Sequence, residues 1–426
     1  MRKSDKRKGQ REAQGGGQLW LRMGEFVRAA LYEVVIGTGL AFVGEALEEE
    51  RTALCGPRYG HLAQRKAVRA GQVASSLVLG GRRVAVKRPR VRSVDGHEVA
   101  LPSWLAWSAQ DPLHERALEQ MVLGVSSRRY ARSLEPLPAG IVARGTSKSA
   151  VSQRFVYGTE RKLAELMSRG LEGLTLTVLM IDGVHFADHV VLAAVGVDER
   201  GDKHVLGLRE GATENAAAAR ALLSDLVERG LDTNRCLLVV IDGAKALRKA
   251  VAEVFGSRAL IQRCIEHKKR NVTEALPQVM RASVRATMNQ AYAMHDAAGA
   301  RRLLENLARR LANPHPGAAA SLREGLEETL TVMKLGLPSS LQRVLSSTNI
   351  IENLFSGVRR ISHRVKRWNG GTMVLRWTAA GVLEAERKFR RLTGYTAMPK
   401  LVAALRAHDA SLTRTGKRLD DAEIAA

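Results

Sequence analysis

Two aspartates stand where they could bind a divalent metal ion together. Asp182 and Asp242 end the apolar runs VLMID and LVVID, and a glycine follows each of them. Such runs are typical of strands buried on both faces, and open α/β sheets bind ligands at the carboxyl ends of their strands. A single Asp-Gly after a strand is an ordinary turn. Two near-copies favour paired carboxylates, the ligands that Mg²⁺ prefers.

A third carboxylate, Glu352, lies in TNIIENLF, directly before the basic stretch SGVRRISHRVKRW. On a helix it falls at the edge of an apolar stripe. Taken alone, it is a border residue that pairs with Arg359 two turns on. Beside two aspartates it gains another role, because a third carboxylate completes a two-metal site for phosphoryl transfer. The predicted stripe consists of Ile350, Ile351, Leu354, Phe355, Val358 and Ile361.

The composition points to a polyanionic partner. The chain has 426 residues, 45% of them hydrophobic, and a net charge of +24, so we expect several domains or subdomains and a nucleic acid as ligand. No apolar run predicts a membrane span, and no apolar segment follows the basic N-terminus as in a signal peptide. The scattered Cys55, Cys236 and Cys264 fit a reducing compartment. We therefore expect a cytoplasmic, nucleoid-associated protein.

The basic charge of the N-terminal part is concentrated in residues 79–94, LGGRRVAVKRPRVRSV. Alternating valines and cations predict a strand with one cationic face, which Pro89 marks as an edge strand or a break. DNA-backbone contact is favoured over a plain solvated ribbon. The cations expected to touch DNA here are Lys87, Arg88, Arg90 and Arg92.

Residues 115–170 have helical spacing, with Ser126 and Ser147 as candidate N-caps. The turn at Gly124 and the short basic segment after it fit a helix-turn-helix or an ordinary helical pair equally well. From residue 174 the pattern changes to strand, strand, strand, helix, strand, helix, strand, helix, which predicts a mixed α/β layer. Helical segments alone follow from about 265 to 345.

Four motifs together resemble the Mutator-type DDE transposases of bacterial insertion sequences. They are MIDGVHF, VVIDGAKAL, QRCIEHKKRNV and STNIIENLFSGVRR, and the resemblance extends over residues 60–395. One departure is Arg69-Ala70-Gly71, where the family usually has Arg-Asn-Gly. The resemblance implies an RNase H-like domain that cuts and joins double-stranded DNA at terminal inverted repeats, as a homodimer or larger assembly. The implied catalytic and metal-binding triad is Asp182, Asp242 and Glu352, with Mg²⁺ as the ion and Mn²⁺ as a substitute.

Three further residues match the family signature: Cys264, His267 and Asn349. Cys264 and His267 form a Cys-x-x-His pair, but no second pair supplies four zinc ligands. We expect these two residues to have a structural or DNA-end-positioning role, without zinc. Trp368 is expected either to stack on an unpaired base or to lie in the core. The cations expected to hold phosphates beside the metals are Arg359, Arg360, Arg364, Lys366 and Arg367.

The fold expected from these observations is α/β, an RNase H-like mixed sheet with an all-helical insertion, preceded by a basic, mainly helical DNA-binding region. Two other functions stay open: a DNA-binding protein without catalysis, and an RNase H-like nuclease that cuts without strand transfer. We predict a basic tail and N-terminal helices in 1–60, a DNA-binding region in 61–170, the first part of the catalytic core in 171–275, a helical insertion in 276–345, the second part of the core in 346–395, and a C-terminal helix and tail in 396–426.

Overall fold

The computed structural model describes residues 5–60, 65–109, 113–135, 137, 140–211 and 216–424. The chain divides into two units, Met1–Gly158 and Thr159–Ala426. Among the described residues, no helix combines the length and the apolar character that crossing a bilayer requires.

The first unit contains a two-stranded antiparallel ribbon, β1 with β2, beside a long helix, α1. Gly80 and Gly81 connect the strands with φ of 58° and 79°, the left-handed conformation that favours glycine in a two-residue hairpin. β3 pairs with one end of β2 and β4 with the other. The elements of this unit are α1 (Asp5–Cys55), β1 (Ala67–Leu79), β2 (Arg82–Ser93), β3 (Glu98–Val99), α2 (Pro102–Ala109), α3 (Leu113–Val122), β4 (Ala143–Arg144) and α4 (Lys148–Met167), the last of which continues into the second unit.

The cationic strand predicted over 79–94 is confirmed as β2, and it continues through Pro89 without a break. Pro89 lies opposite Gln72, next to a bulge in β1 where Gly71 has a φ of 79°. A bulge leaves the ladder locally irregular, and β3 and β4 pair with β2 on either side of this position. A residue without an N–H is therefore tolerated there.

The helical prediction after Gly124 is wrong for both alternatives. α3 ends at Val122, but turns and a 3₁₀ helix over Ala131–Ser133 follow Ser126 in place of a second α-helix. The reason is tertiary: Tyr130 is fully buried and its hydroxyl donates to the Gly81 carbonyl at 2.9 Å. The prediction for Ser147 is confirmed, since its Oγ accepts from the Ala150 N–H where α4 begins.

The second unit is built on a five-stranded sheet with the order β7-β6-β5-β8-β9. β5, β6 and β7 are antiparallel, whereas β8 and β9 are parallel to β5. The predicted alternation of strands and helices is confirmed. The elements are β5 (Leu176–Phe186), β6 (His189–Asp198), β7 (Lys203–Gly211), α5 (Ala216–Glu228), β8 (Leu237–Ile241), α6 (Lys245–Phe255), β9 (Ala259–Arg263) and α7 (Ile265–Glu274).

Helices continue from α7 to the end of the described chain. One group packs on itself around Met288, Leu304 and Leu322, and the later helices return to the sheet. The helices are α8 (Gln278–Tyr292), α9 (Ala297–Leu311), α10 (Pro316–Arg323), α11 (Leu326–Thr329), α12 (Thr331–Lys334), α13 (Ser339–Leu345), α14 (Asn349–Ser362), α15 (Gly371–Glu386) and α16 (Met398–Ile424).

The two faces of the sheet are covered by different helices. Leu179 and Ile181 of β5 pack with α5 and α6. Val178 and Met180 point to the other face and pack with residues of α14, α15 and α16. Because side chains alternate along a strand, the next residue on the α14 face of β5 is Asp182.

Candidate metal centre

Asp182 and Asp242 lie at the same level of the sheet. The prediction that each of them ends a strand is confirmed for Asp242, which follows β8, but is wrong for Asp182, because β5 pairs with β6 as far as Phe186. Ile181 of β5 pairs with Ile241 of β8 in parallel register, so the aspartate after each isoleucine reaches the same level. Val240 belongs to the core on the α14 face, and by alternation Asp242 also points to that face. Matched register and a shared face bring the two predicted acids to one place.

The turn after Asp242 is held in a conformation that requires glycine. Gly243 has a φ of 106°, and a Cβ there would meet the Arg263 guanidinium at 3.3 Å. Arg263, whose side chain is 4% exposed, donates from Nη2 to the Gly243 carbonyl at 2.6 Å. The Ala244 N–H donates to Asp242 Oδ1 at 2.8 Å. Backbone and buried arginine together fix this carboxylate just before α6.

The helix that carries Glu352 docks through the predicted stripe. Ile351, Leu354, Phe355 and Val358 are buried against the sheet core, which confirms the stripe. The Glu352 side chain stays 42% exposed at its edge. Its partners are on α7 and not on its own helix: among the described residues no ion pair joins it to Arg359, so the border-pair interpretation is wrong.

Glu352 approaches two cations of α7. Its Oε1 lies 4.0 Å from His267 Nε2 and 3.7 Å from Arg270 Nη2. One donor atom from each of Asp182, His267 and Glu352 lies within 4.8 Å of the others, so these three side chains could hold a metal ion. Asp242 stands outside that group but close enough for its charge to raise the pKa of Asp182.

Sequence reasoning missed the place of His267 in this cluster. The Cys-x-x-His spacing was considered as half of a zinc site. Because no second pair of ligands completes four, no location in the fold was predicted for His267. A stronger signal was available: the residue comes four positions after β9, and β9 is the neighbour of β8 in the parallel part of the sheet. The first turn of α7 therefore starts at the carboxyl end of the parallel strands β8 and β9, at the level of the two aspartates.

The pKa values of Asp182 and His267 are both raised above their usual values. Asp182 is 3% exposed, and burial raises its pKa to about 6, although His267, Thr348 and the Gly183 N–H favour its charged form. Interaction with Cys264 and the charge of Asp182 raise the pKa of His267 to about 9 against its burial. A buried carboxylate beside others is costly unless a cation compensates it. The carboxylate oxygens present are the donors that Mg²⁺ or Mn²⁺ requires.

Cys264 connects the two helices that carry His267 and Glu352. It occupies the N-cap position of α7 and is 1% exposed. The backbone N–H and the hydroxyl of Thr348, the N-cap residue of α14, point at its sulfur at 3.4 and 3.5 Å. Burial raises the pKa of the thiol, but hydrogen bonding with His267 and Thr348 outweighs this and lowers it. Asn349, the first residue of α14, is exposed.

The basic residues after Glu352 lie at the surface. Trp368 differs from them: it is half-buried and makes edge-on contacts with Phe186 and Trp377 at centroid distances of 5.6 and 6.4 Å. These contacts favour a packing role for its ring. The exposed cations of this segment are Arg359, Arg360, Arg364, Lys366 and Arg367.

The four ribbon cations that were predicted to touch DNA fall into two pairs. Arg88 and Arg90 bind Glu98 at 3.1 and 2.6 Å, and the Arg88 guanidinium also lies over the Trp104 ring. Lys87 and Arg92 are exposed, and within the described part of the chain neither has an ion pair. Of these four cations, Lys87 and Arg92 are the two without an acidic partner among the described residues.

The mixed sheet therefore carries Asp182 inside β5 and Asp242 directly after the parallel strand β8, and α14 brings Glu352 close to Asp182 and His267. The chain belongs to the Mutator family of transposases, whose family model matches residues 31–391.

Individual relatives agree with this assignment. The chain is similar to the transposase for insertion sequence element ISRM5 of Rhizobium meliloti, 26% identical over 366 residues that cover 84% of this chain and 89% of the relative. It is also similar to the transposase for IS1081 of Mycobacterium tuberculosis, 27% identical over 383 residues, 85% of this chain and 88% of the relative. A third relative is the transposase for IS406 of Burkholderia multivorans, 29% identical over 352 residues, 78% and 87%.

Proposed function

We propose that this protein is a DDE transposase that cleaves DNA at the ends of an insertion sequence and joins the freed 3′-hydroxyl to target DNA. The observation that carries the proposal is the approach of Glu352 on α14 to Asp182 on β5, at the level of the sheet to which the parallel register of β5 and β8 also brings Asp242. The names of the relatives, transposases for insertion sequence elements, support the choice of substrate.

An RNase H-like core is part of the proposal. It is supported by three antiparallel strands followed by two parallel ones, in the order β7-β6-β5-β8-β9. The helical segment α8–α13 between the second and third acids fits the helical insertion that the sequence predicts. The division at residues 61, 171, 276, 346 and 396 stays a proposal as well.

Two Mg²⁺ ions, with Mn²⁺ as a substitute, would be held by Asp182, Asp242 and Glu352. When bound, such ions activate the attacking oxygen and stabilise the leaving one in phosphoryl transfer. The donor set fits, because all three side chains offer carboxylate oxygens and burial leaves Asp182 in need of a compensating cation. Zinc is not proposed.

The protein's own residues supply the positions for a hydrolysis followed by a transesterification. In the first, the oxygen of water bonds to phosphorus and the bond from phosphorus to the 3′-oxygen of the element end breaks, leaving a 3′-hydroxyl and a 5′-phosphate. In the second, that hydroxyl attacks a target phosphodiester and a target 3′-oxygen leaves. Asp182 is placed by β5, Asp242 by the Gly243 turn and Glu352 by the docked stripe, so the geometry is preorganised.

The cations would bind the DNA without reading its sequence. The exposed Arg359, Arg360, Arg364, Lys366 and Arg367 would hold phosphates near the chemistry, and Lys87 and Arg92 would act from the ribbon. A dimer or larger assembly on paired ends belongs to the proposal by resemblance to the family. The structural or DNA-end-positioning role of Cys264 and His267 stays a proposal as well.

The test is a cleavage and joining assay with Mg²⁺ or Mn²⁺ on DNA that carries the inverted repeats flanking the gene. We expect nicking at the 3′ ends and strand transfer by the natural protein. Asp182→Asn, Asp242→Asn and Glu352→Gln should each remove joining while DNA binding persists in a filter or anisotropy assay. Continued joining by one variant would take that residue out of the active site.

The same assay separates the alternatives. Cutting without joining would identify a structure-specific nuclease. Binding of the repeats without either reaction, with both metals supplied, would identify a DNA-binding regulator and overturn the proposal.

A further inference from the structure

The proposed metal ligand Glu352 is already compensated by positive charge from the protein. Arg270 Nη2 and His267 Nε2 approach the same oxygen, Oε1, at 3.7 and 4.0 Å. The two residues stand three apart on α7 and so share one side of the helix. That side faces the start of α14, where Glu352 lies.

The two partners differ in how firmly they are held. His267 is 19% exposed and interacts with Cys264 at the start of α7. The Arg270 side chain is 52% exposed, and its distance to the carboxylate is too long for a good hydrogen bond. A pair of this kind contributes little to stability. Arg270 is therefore free to leave Glu352 at small cost.

We propose that Arg270 is a positioning residue that occupies Glu352 in the metal-free protein and moves to a DNA phosphate when a divalent ion takes its place. The inference rests on the proposed function, because it needs Glu352 to be a metal ligand. It adds a role for Arg270 that neither the triad nor the basic segment after Glu352 includes.

The physical reason is exclusion between like charges. A divalent ion at Glu352 and a guanidinium within 4 Å of the same oxygen repel each other, so binding of the ion favours release of the arginine. The released guanidinium is a planar donor suited to phosphate oxygens. Its long side chain begins one helical turn from His267, so it would lie beside a phosphate bound at the proposed metal centre.

The inference predicts opposite signs for two measurements on Arg270→Gln. Without DNA, Mn²⁺ titrated into the full chain and followed by electron paramagnetic resonance should bind about fivefold more tightly than to the natural protein, because a competing cation is gone. With saturating Mn²⁺ and DNA, single-turnover cleavage should fall about tenfold, because a charged contact to phosphate is lost.

A matched control lies on the next helix. Arg285 of α8 is 49% exposed and pairs with Glu266 at 3.3 Å, so Arg285→Gln removes a similar arginine from a carboxylate outside the site. It should leave both measurements unchanged. Arg270→Lys should restore most of the cleavage, since a lysine keeps the charge.

Two results for Arg270→Gln would contradict the proposed role. Unchanged Mn²⁺ affinity in Arg270→Gln, or a loss of both affinity and cleavage, overturns the role of Arg270, the second by showing a structural contribution. Glu352→Gln is the reference variant. If it weakens Mn²⁺ binding, the result supports Glu352 as a metal ligand independently of the results for Arg270. If Glu352→Gln binds Mn²⁺ as the natural protein does, Glu352 is not a ligand and the proposed metal centre itself fails.

Discussion

The carboxylate site of the second unit and the cationic ribbon of the first differ in how their charged side chains are held in place. Asp182 is 3% exposed, and the register of β5 and β8 brings Asp242 to the same level. Glu352 is positioned by the buried apolar stripe of α14. Of the ribbon cations that were predicted to touch DNA, Lys87 and Arg92 are exposed, whereas Arg88 and Arg90 are half-buried and bound by Glu98. Position is fixed by packing in the first case and left to side-chain freedom in the second.

This difference indicates what each region can do. A group that must act on a particular bond needs a location fixed to a fraction of an ångström, which buried elements provide. A group that neutralises phosphates needs charge and reach, which exposed side chains provide. We therefore expect changes at the acids to affect the reaction, and changes at the ribbon to affect the affinity for DNA.

The largest effect is expected for Asp182→Asn. Cleavage should fall at least about a hundredfold, because loss of a direct ligand exceeds the 10- to 100-fold cost of losing a residue behind one. Single-turnover cleavage at saturating DNA measures the change. Lys87→Gln is the counterpart from the ribbon and should keep its rate when DNA is saturating. If Lys87→Gln lost the reaction as fully, the division between the two regions would be wrong.

The next effect concerns the stripe that holds Glu352. Phe355 is fully buried and its ring lies 6.0 Å from that of Phe186. Phe355→Ala should lower the free energy of unfolding by about 3–5 kcal/mol, measured by urea denaturation. The exposed Asn353 of the same helix is the control, and Asn353→Ala should change that free energy by no more than about 0.5 kcal/mol. Equal losses would mean that the stripe does not dock the helix.

The strands and the helix that carry the three acids could be predicted from the sequence because they follow from local patterns. The apolar runs before Asp182 and Asp242 predicted strands, and the helical stripe around Glu352 has a readable period. The end of β5 was not predicted, because pairing with β6 extends that strand past Asp182 to Phe186. His267 and Arg270 were not predicted as partners of Glu352, because that contact joins helices more than eighty residues apart. The prediction for the segment after Gly124 was wrong for the same reason. The burial of Tyr130 against the ribbon determines the conformation of this segment, and a contact between residues so far apart in the chain leaves no local sequence pattern.

A smaller effect is expected from the metal itself. An ion that binds only the folded protein stabilises it by about 2.7 kcal/mol at a hundredfold excess over Kd, or roughly 5 to 10 °C in the melting temperature of a unit of this size. Scanning fluorimetry with and without Mn²⁺ should show this rise for the natural protein and for Lys87→Gln. Asp182→Asn should lose most of it. A rise that survives in Asp182→Asn would place the ion elsewhere.

The smallest effect is expected at the ribbon, where the loss of one negative charge, that of Glu98, should increase the affinity for DNA. Glu98 compensates Arg88 and Arg90, so Glu98→Gln should free both for phosphates and strengthen DNA binding a few-fold, with a steeper salt dependence. Lys87→Gln should do the reverse and reduce the slope of log K against log salt by about one. Glu119→Gln is the matched control: Glu119 is exposed on α3 and loosely paired with Arg116 at 3.9 Å, so this variant gains the same charge away from the ribbon. If Glu119→Gln strengthened binding as much as Glu98→Gln, net charge alone would explain the affinity, and the pairing within the ribbon would have no part in it.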